Sequence, residues 1–369
     1  MKKPTLFFIL GIVCTLLLGS ALAAPGDAGD PLISLGFLNG AFTASVDKSV
    51  DEALDRSDDT LSDGAMAQWQ KILAEASVGT NYTAVFKESR LKRDDILSGS
   101  TGLQVILLAG DMKVEFSSGA VVDATTGGEL ASGAALCADH RYLVVEDTDA
   151  LFSVTSKTAV ADYCGAYSLT PSAGTDYNAM AEALKSLRLF RGSDLGYGQG
   201  FGLERTPTRT ETLVMLIRLL GEEDAALACT GMHPFRDVDP WAAPYVAYAY
   251  EKGYSNGVSD DTFGSSMSAS AQMYTEFILR ALGYSSTAQT DISDALTRAQ
   301  SCGAITLGER AALDGGVFLR ADVVYLSFYA LDVSLSDGQQ SLGGKLMQRG
   351  VFSSEQLKRA RDLVTSARL

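Results

Sequence analysis

The sequence predicts an α+β chain: N-terminal helices and a small antiparallel β sandwich or barrel domain, followed by an all-α helical bundle of three units. Three observations predict it. Apolar residues recur at spacings of three and four from Ser45 to Ala76. Short β-rich runs separated by glycine turns fill residues 103–163. A helix, loop, helix plan then recurs three times after residue 175.

The chain opens on an export signature. Lys2 and Lys3 precede an apolar run from Leu6 to Leu18, and Ala21-Leu22-Ala23 has the small-x-small form of a signal-peptidase site, so residues 1–23 read as a signal peptide. The run is shorter than the roughly 20 apolar residues a membrane span needs, and no later stretch is as apolar, so no span is expected after cleavage. Removing two lysines and no acid takes the net charge from −15 to −17, which argues against a nucleic-acid partner.

The segment 24–97 reads as helical. After an apolar stretch at 32–44 with no clear role, Val46, Val50, Ala53 and Leu54, then Met66, Trp69, Ile72 and Leu73, predict two amphipathic helices interrupted near Asp63-Gly64. No heptad is sustained, so the pattern favours packing on a neighbour over a coiled coil. Residues 103–108, 112–116, 120–123, 142–145, 151–155 and 158–163 predict six strands of an antiparallel domain, 98–170. A polar linker, Thr170-Pro171-Ser172-Ala173-Gly174, sets a boundary near residue 175.

Cys137, Cys164, Cys229 and Cys302 match no zinc or redox spacing. Export permits a bridge. Cys137 and Cys164 are the pair best placed for one, with buried free thiols as the alternative. His140 and His233 have no partner at ligand spacing, so neither a zinc site nor a catalytic triad is expected. The run from Gly196 to Gly202 follows a helix and lacks the βαβ frame of a dinucleotide site. Residues 259–262 lack the ligand pattern of a calcium loop, and no carboxylate pair can be nominated for glycosidase work. Neither a cofactor, a metal nor a catalytic residue is expected, and the protein reads as no enzyme.

The three units occupy 176–225, 233–284 and 290–335. Each has a first helix, a loop and a second helix opened by a four-residue motif. From loop Phe to motif the spacing is seven positions in two units, Phe201 to Thr208 and Phe263 to Ser270. The third unit has lost its Gly/Asp/Phe loop, and residues 340–369 read as a C-terminal capping helix. Thr208 is a good N-cap, and Glu211 completes a capping box. Arg209, in the first turn, is expected to point outward, away from the stripe of Leu213, Leu216 and Leu220. A cation there opposes the helix dipole, so its place is easier to justify if a carboxylate receives it.

The stretch from Pro234 to Gly264, with FRDV, then WAAPYVAYAYEKG, then a Gly/Asp/Phe loop, resembles the core of an S-layer homology module. The resemblance covers roughly residues 176–335. It implies a three-fold pseudo-symmetric bundle whose grooves bind secondary cell-wall polysaccharide, often bearing a pyruvyl ketal met by the Arg of a Thr-Arg-Ala-Glu motif. Carried over by position, it nominates Arg209 and Glu211 in the first unit and Arg320 and Asp322 in the third. Ser270-Ala271-Gln272-Met273 has neither Arg nor Glu, so that groove is expected to be altered. Trp241 is open between a sugar platform and plain core, and Asp237 and Asp239 read as turn and capping groups. The expectation is a secreted, non-catalytic protein of the bacterial wall or surface layer. The alternatives are a surface-tethered enzyme or carbohydrate-binding module in residues 30–170, and a degenerate repeat array serving as an assembly surface. Oligomeric state is not legible.

Overall fold

The computed structural model describes residues 43–76, 81–192, 200–285 and 291–369. The expected signal peptide, most of the 32–44 stretch and part of the Gly196 loop lie outside the described residues. The chain divides into two compact units, Met1–Val78 and Gly79–Leu369.

In the first unit α1 spans Thr43–Ala76 without a break, where two helices were expected. Gly64 costs an interior helix about 1 kcal/mol relative to Ala, but with no proline beside it the ladder continues. Val46, Val50 and Leu54 on this helix are exposed.

The second unit begins with strands, not with the helical segment expected up to residue 97. Strands β1 (Asn81–Lys92) and β2 (Ile96–Gly99) precede the six that the alternation predicted: β3 (Gln104–Ala109), β4 (Met112–Glu115), β5 (Ala120–Asp123), β7 (Arg141–Val145), β8 (Ala150–Val154) and β9 (Thr158–Thr170). A short β6 (Gly128–Leu130) lies among them. The strands form an antiparallel half-barrel in the order β4-β8-β2-β9-β3-β7-β5-β6, with β1 also on β9. β1 escaped notice because it is largely exposed and bulged between Thr83 and Lys87, which breaks the period of two.

The long β9 organises the barrel. β2 pairs with its residues 168–170 and β3 with residues 160–164. The bend between these stretches falls at Gly165, whose φ is +119° and where a Cβ would lie 2.9 Å from the Gly102 carbonyl. Leu97, Val105, Leu107, Val114, Val144, Phe152 and Tyr163 fill the interior. Cys137 and Cys164 are both free thiols, so the bridge weighed for them does not form.

The linker after β9 is no loose boundary. Ser172 donates its N–H to Asp95 Oδ1 (2.7 Å) and its hydroxyl to the Arg93 carbonyl (2.6 Å). Further on, Lys157 Nζ meets Asp322 Oδ1 at 2.5 Å. Half-barrel and helices therefore belong to one compact unit and do not separate at residue 175.

The helices share one apolar core. They are α2 (Tyr177–Ser186), α3 (Arg209–Leu219), α4 (Glu223–Leu227), α5 (Ala243–Glu251), α6 (Ala271–Ala281), α7 (Ala295–Ser301), α8 (Leu307–Leu313), α9 (Arg320–Ala330), α10 (Leu342–Gln348) and α11 (Ser354–Asp362). The short α4 falls at the end of the expected first unit, and α8 falls between the two helices expected of the third, carrying its own capping box from Thr306 and Glu309. The single C-terminal capping helix is two. Gly350 takes φ +72°, and Ser353 caps a new start.

Two junctions between a helix start and a loop use the same backbone pattern. The first two N–H groups of α3 donate to Met267 O (2.8 Å) and Ser265 O (3.4 Å), in the loop before α6. The first two of α9 donate to Arg205 O (2.9 Å) and Leu203 O (3.1 Å), in the loop before α3. Each pair satisfies free helix-start donors with a neighbour's loop carbonyls. α3 thus begins against the loop before α6, and α9 against the loop before α3.

Candidate functional site

The candidate site is built at the first of these junctions, where the start of α3 meets the loop between α5 and α6. Thr208 caps α3 as expected, accepting from Glu211 N, while Glu211 Oε2 accepts from Thr208 N at 2.8 Å. That geometry fixes Arg209 at the first helical position. It does not point outward: Arg209 is 4% exposed. The junction hydrogen bonds turn its side chain onto α6 and the loop before it, where its guanidinium lies 5.0 Å from the ring centroids of both Phe263 and Phe277.

The loop that receives Arg209 is held by Asp237. Its carboxylate accepts from the N–H groups of Phe263 (2.6 Å), Gly264 (2.7 Å) and Ser265 (3.0 Å). Burial works to raise the pKa of this carboxyl, but the three backbone donors outweigh it and the net shift is downward. Asp237 is thus the turn group the sequence suggested. Gly257 closes the other side at φ +79°, where a Cβ would fall 2.3 Å from the Phe235 ring, so a side chain there would displace the aromatic stack.

Arg209 Nη2 donates to Ser255 Oγ (3.0 Å) and the Gly257 carbonyl (3.4 Å). Nε is buried without an acceptor. Among the described residues no carboxylate stands within ion-pair distance of this guanidinium. Burial first, and then the nearby charge of Arg280, push its pKa down to about 10, with Asp237 opposing. The group is a desolvated cation at neutral pH without its own anion. It lines a groove of about 460 Å³ together with Asn256, Asp260, Met267, Glu276 and Arg280, among others.

Arg320 repeats the arrangement at the second junction. It is 5% exposed, donates from Nε to the Phe201 carbonyl (3.2 Å) and contacts Met215 Sδ through Nη1 (3.6 Å). Burial, then the Arg205 charge, bring it also down to about 10.

The other nominated residues are spoken for. Glu211 holds the cap and takes the Arg205 fork at 2.9 and 2.6 Å. Asp322 caps α9 through Leu319 N (2.8 Å) and binds Lys157. Both acids are engaged as helix-start fixtures. Trp241 is neither core nor groove wall: it is 56% exposed and lies outside the groove lining. The groove residues that sequence reading passed over are Asn256, Glu276 and Arg280. Nothing in the local pattern around Arg280 says that it lines a groove with Arg209.

The S-layer homology domain family matches residues 234–264, which hold Asp237, Gly257 and the Asp/Phe loop. A cell surface protein of Thermoanaerobacter kivui is similar at 29% identity over 164 residues, 42% of this chain and 21% of that protein. The chain carries an S-layer homology domain and is a surface protein. Its location is the cell surface, in association with the wall. It spans about a fifth of the length of that relative. Among the described residues no helix is long and apolar enough to cross a membrane.

Proposed function

We propose that the protein is a non-catalytic anchor that holds to the cell wall by binding an anionic group of a secondary wall polysaccharide at Arg209. One observation carries the reading: a guanidinium almost wholly buried, without a carboxylate partner among the described residues, at the wall of an open groove. A buried cation without a counter-ion is costly, and an incoming carboxylate offsets that cost through charge-assisted hydrogen bonds to a planar fork. A pyruvyl ketal on the polymer supplies such a carboxylate, while Ser259, Asn256 and the loop carbonyls face sugar hydroxyls. The family match over the loop that forms this groove supports the same reading.

The three-unit bundle expected from the resemblance fits the two equivalent junctions. It extends the reading to Arg320 as a secondary site. Co-sedimentation of the protein with purified sacculi, with and without the secondary polymer, tests the proposal. Retention on intact sacculi and release from stripped ones is expected, and equal retention on both would end it.

A further inference from the structure

Arg280 lies at the far end of α6 from the repeat motif, yet it lines the same groove as Arg209. Like charges brought together in a buried place repel, and Arg280 is indeed one cause of the depressed pKa of Arg209. Two guanidiniums stay close only if something else fixes them. Arg280 is fixed on two sides. Its Nε donates to Glu276 Oε1 at 2.8 Å, an ion pair with side chains 4% and 3% exposed, and its Nη1 donates to Asn256 Oδ1 at 2.8 Å. Glu276 is itself held from outside, by Arg298 Nη2 at 2.6 Å and Ser285 Oγ at 2.6 Å.

Asn256 stands between the two residues that receive Arg209, Ser255 through its hydroxyl and Gly257 through its carbonyl. A continuous line of contacts therefore runs from Arg298 through Glu276, Arg280 and Asn256 to the Ser255–Gly257 turn and Arg209. We propose that Arg280 is a positioning residue for the anion site: through Asn256 it holds the Ser255–Gly257 turn against the guanidinium of Arg209. The inference rests on the wall-binding reading for its purpose but not for its geometry. A fork is required, since one donor must reach Glu276 while another reaches Asn256; a lysine ammonium placed on either partner leaves the other.

Arginine side-chain NMR on the unliganded protein tests the geometry alone. The Nε–H of Arg209 is buried in the native protein, and its exchange with solvent is expected to be slow. R280Q and R280K are both expected to speed that exchange at least tenfold, N256A to do the same, and R280Q/N256A to be no faster than either single variant, because all break one line of contacts. R280Q leaves Glu276 its partners Arg298 and Ser285, so the fold is expected to persist, with the Phe152 and Val144 amides of the half-barrel as controls. If those controls also accelerate in R280Q, N256A carries the test. Unchanged exchange in N256A, or a normal rate restored by R280K, overturns the proposal.

Retention on sacculi supplies the second arm. R280Q and N256A are expected to weaken retention about tenfold, as a shifted Arg209 loses its fork. Retention that depends on Arg209 but not on Arg280 or Asn256 overturns the positioning role and leaves the wall-binding reading standing. Faster Arg209 exchange in a protein whose retention ignores Arg209 upholds the positioning role and defeats that reading.

Discussion

Arg209 and Arg320 hold equivalent places at the starts of α3 and α9, and both are buried with their pKa brought to about 10. Their surroundings differ. Two donors of Arg320, Nε and Nη1, are taken by Phe201 O and Met215 Sδ. Arg209 spends only Nη2 on the protein and keeps a buried Nε without an acceptor. The acid of each motif also differs in its partner: Glu211 meets Arg205 six residues away, whereas Asp322 meets Lys157 from the turn between β8 and β9. The same motif position thus yields a cation with donors to spare in one place and a cation engaged by its neighbours in the other. The motif fixes where the arginine starts; the residues packed against it decide which of its donors are engaged.

This comparison can be broken most directly by removing each arginine. R209A is expected to weaken retention on sacculi by about 10- to 100-fold, the loss of one charge-assisted contact of roughly 1.5–3 kcal/mol. R320A is expected to change it by less than about threefold. Equal losses would show that both junctions bind, and the reverse order would exchange their roles.

The half-barrel contact of Asp322 is sharpened by K157M. Removing the cation leaves a carboxylate of 5% exposure with only its cap donor, and the melting temperature is expected to fall by the equivalent of about 2 kcal/mol. Retention should be unchanged, because this pair stands at the other junction. A fall in retention would tie the half-barrel to binding.

The loop clamp comes next. D237A strands the N–H groups of Phe263, Gly264 and Ser265 and is expected to cost roughly 1–2 kcal/mol of stability. The pH dependence follows from the sign of the shift. Because the folded pKa of Asp237 lies below its unfolded value, its contribution is fully present above the ordinary carboxylate range near 4 and is lost as pH falls through the folded value. Acid unfolding of D237N, followed by circular dichroism, should therefore show a weaker pH dependence below about pH 4. The smallest effect is expected for W241A, within about 0.5 kcal/mol in stability and under twofold in retention, as for exposed side chains in general. A large loss of retention would make Trp241 a second contact outside the groove.

Much of this was legible before any coordinates. The strands β3, β4, β5, β7, β8 and β9, the capping box at Thr208 and Glu211, the turn role of Asp237 and the equal Phe-to-motif spacing all follow from local patterns. What escaped notice has a physical reason in each case. β1 is a bulged, exposed edge strand and carries no alternation. The helix break at Gly64 and the single C-terminal helix were misjudged because a glycine ends a helix only when a cap or a left-handed turn accompanies it, as at Gly350 and not at Gly64. The free thiols at Cys137 and Cys164 show that sharing one sheet does not bring two cysteines into bonding geometry.

The sequence by itself determined most of the elements and the S-layer homology segment at residues 234–264, because caps, periodicities and turn residues act over a few positions along the chain. The tertiary structure alone decided the direction of Arg209. A first-turn arginine can face solvent or a neighbour, and the choice was made by the backbone junction that sets α3 on the loop before α6. It also decided that Arg280 lines the same groove as Arg209 and that Asp322 pairs with Lys157. Such pairings join residues remote in sequence, where no local pattern records which charge meets which.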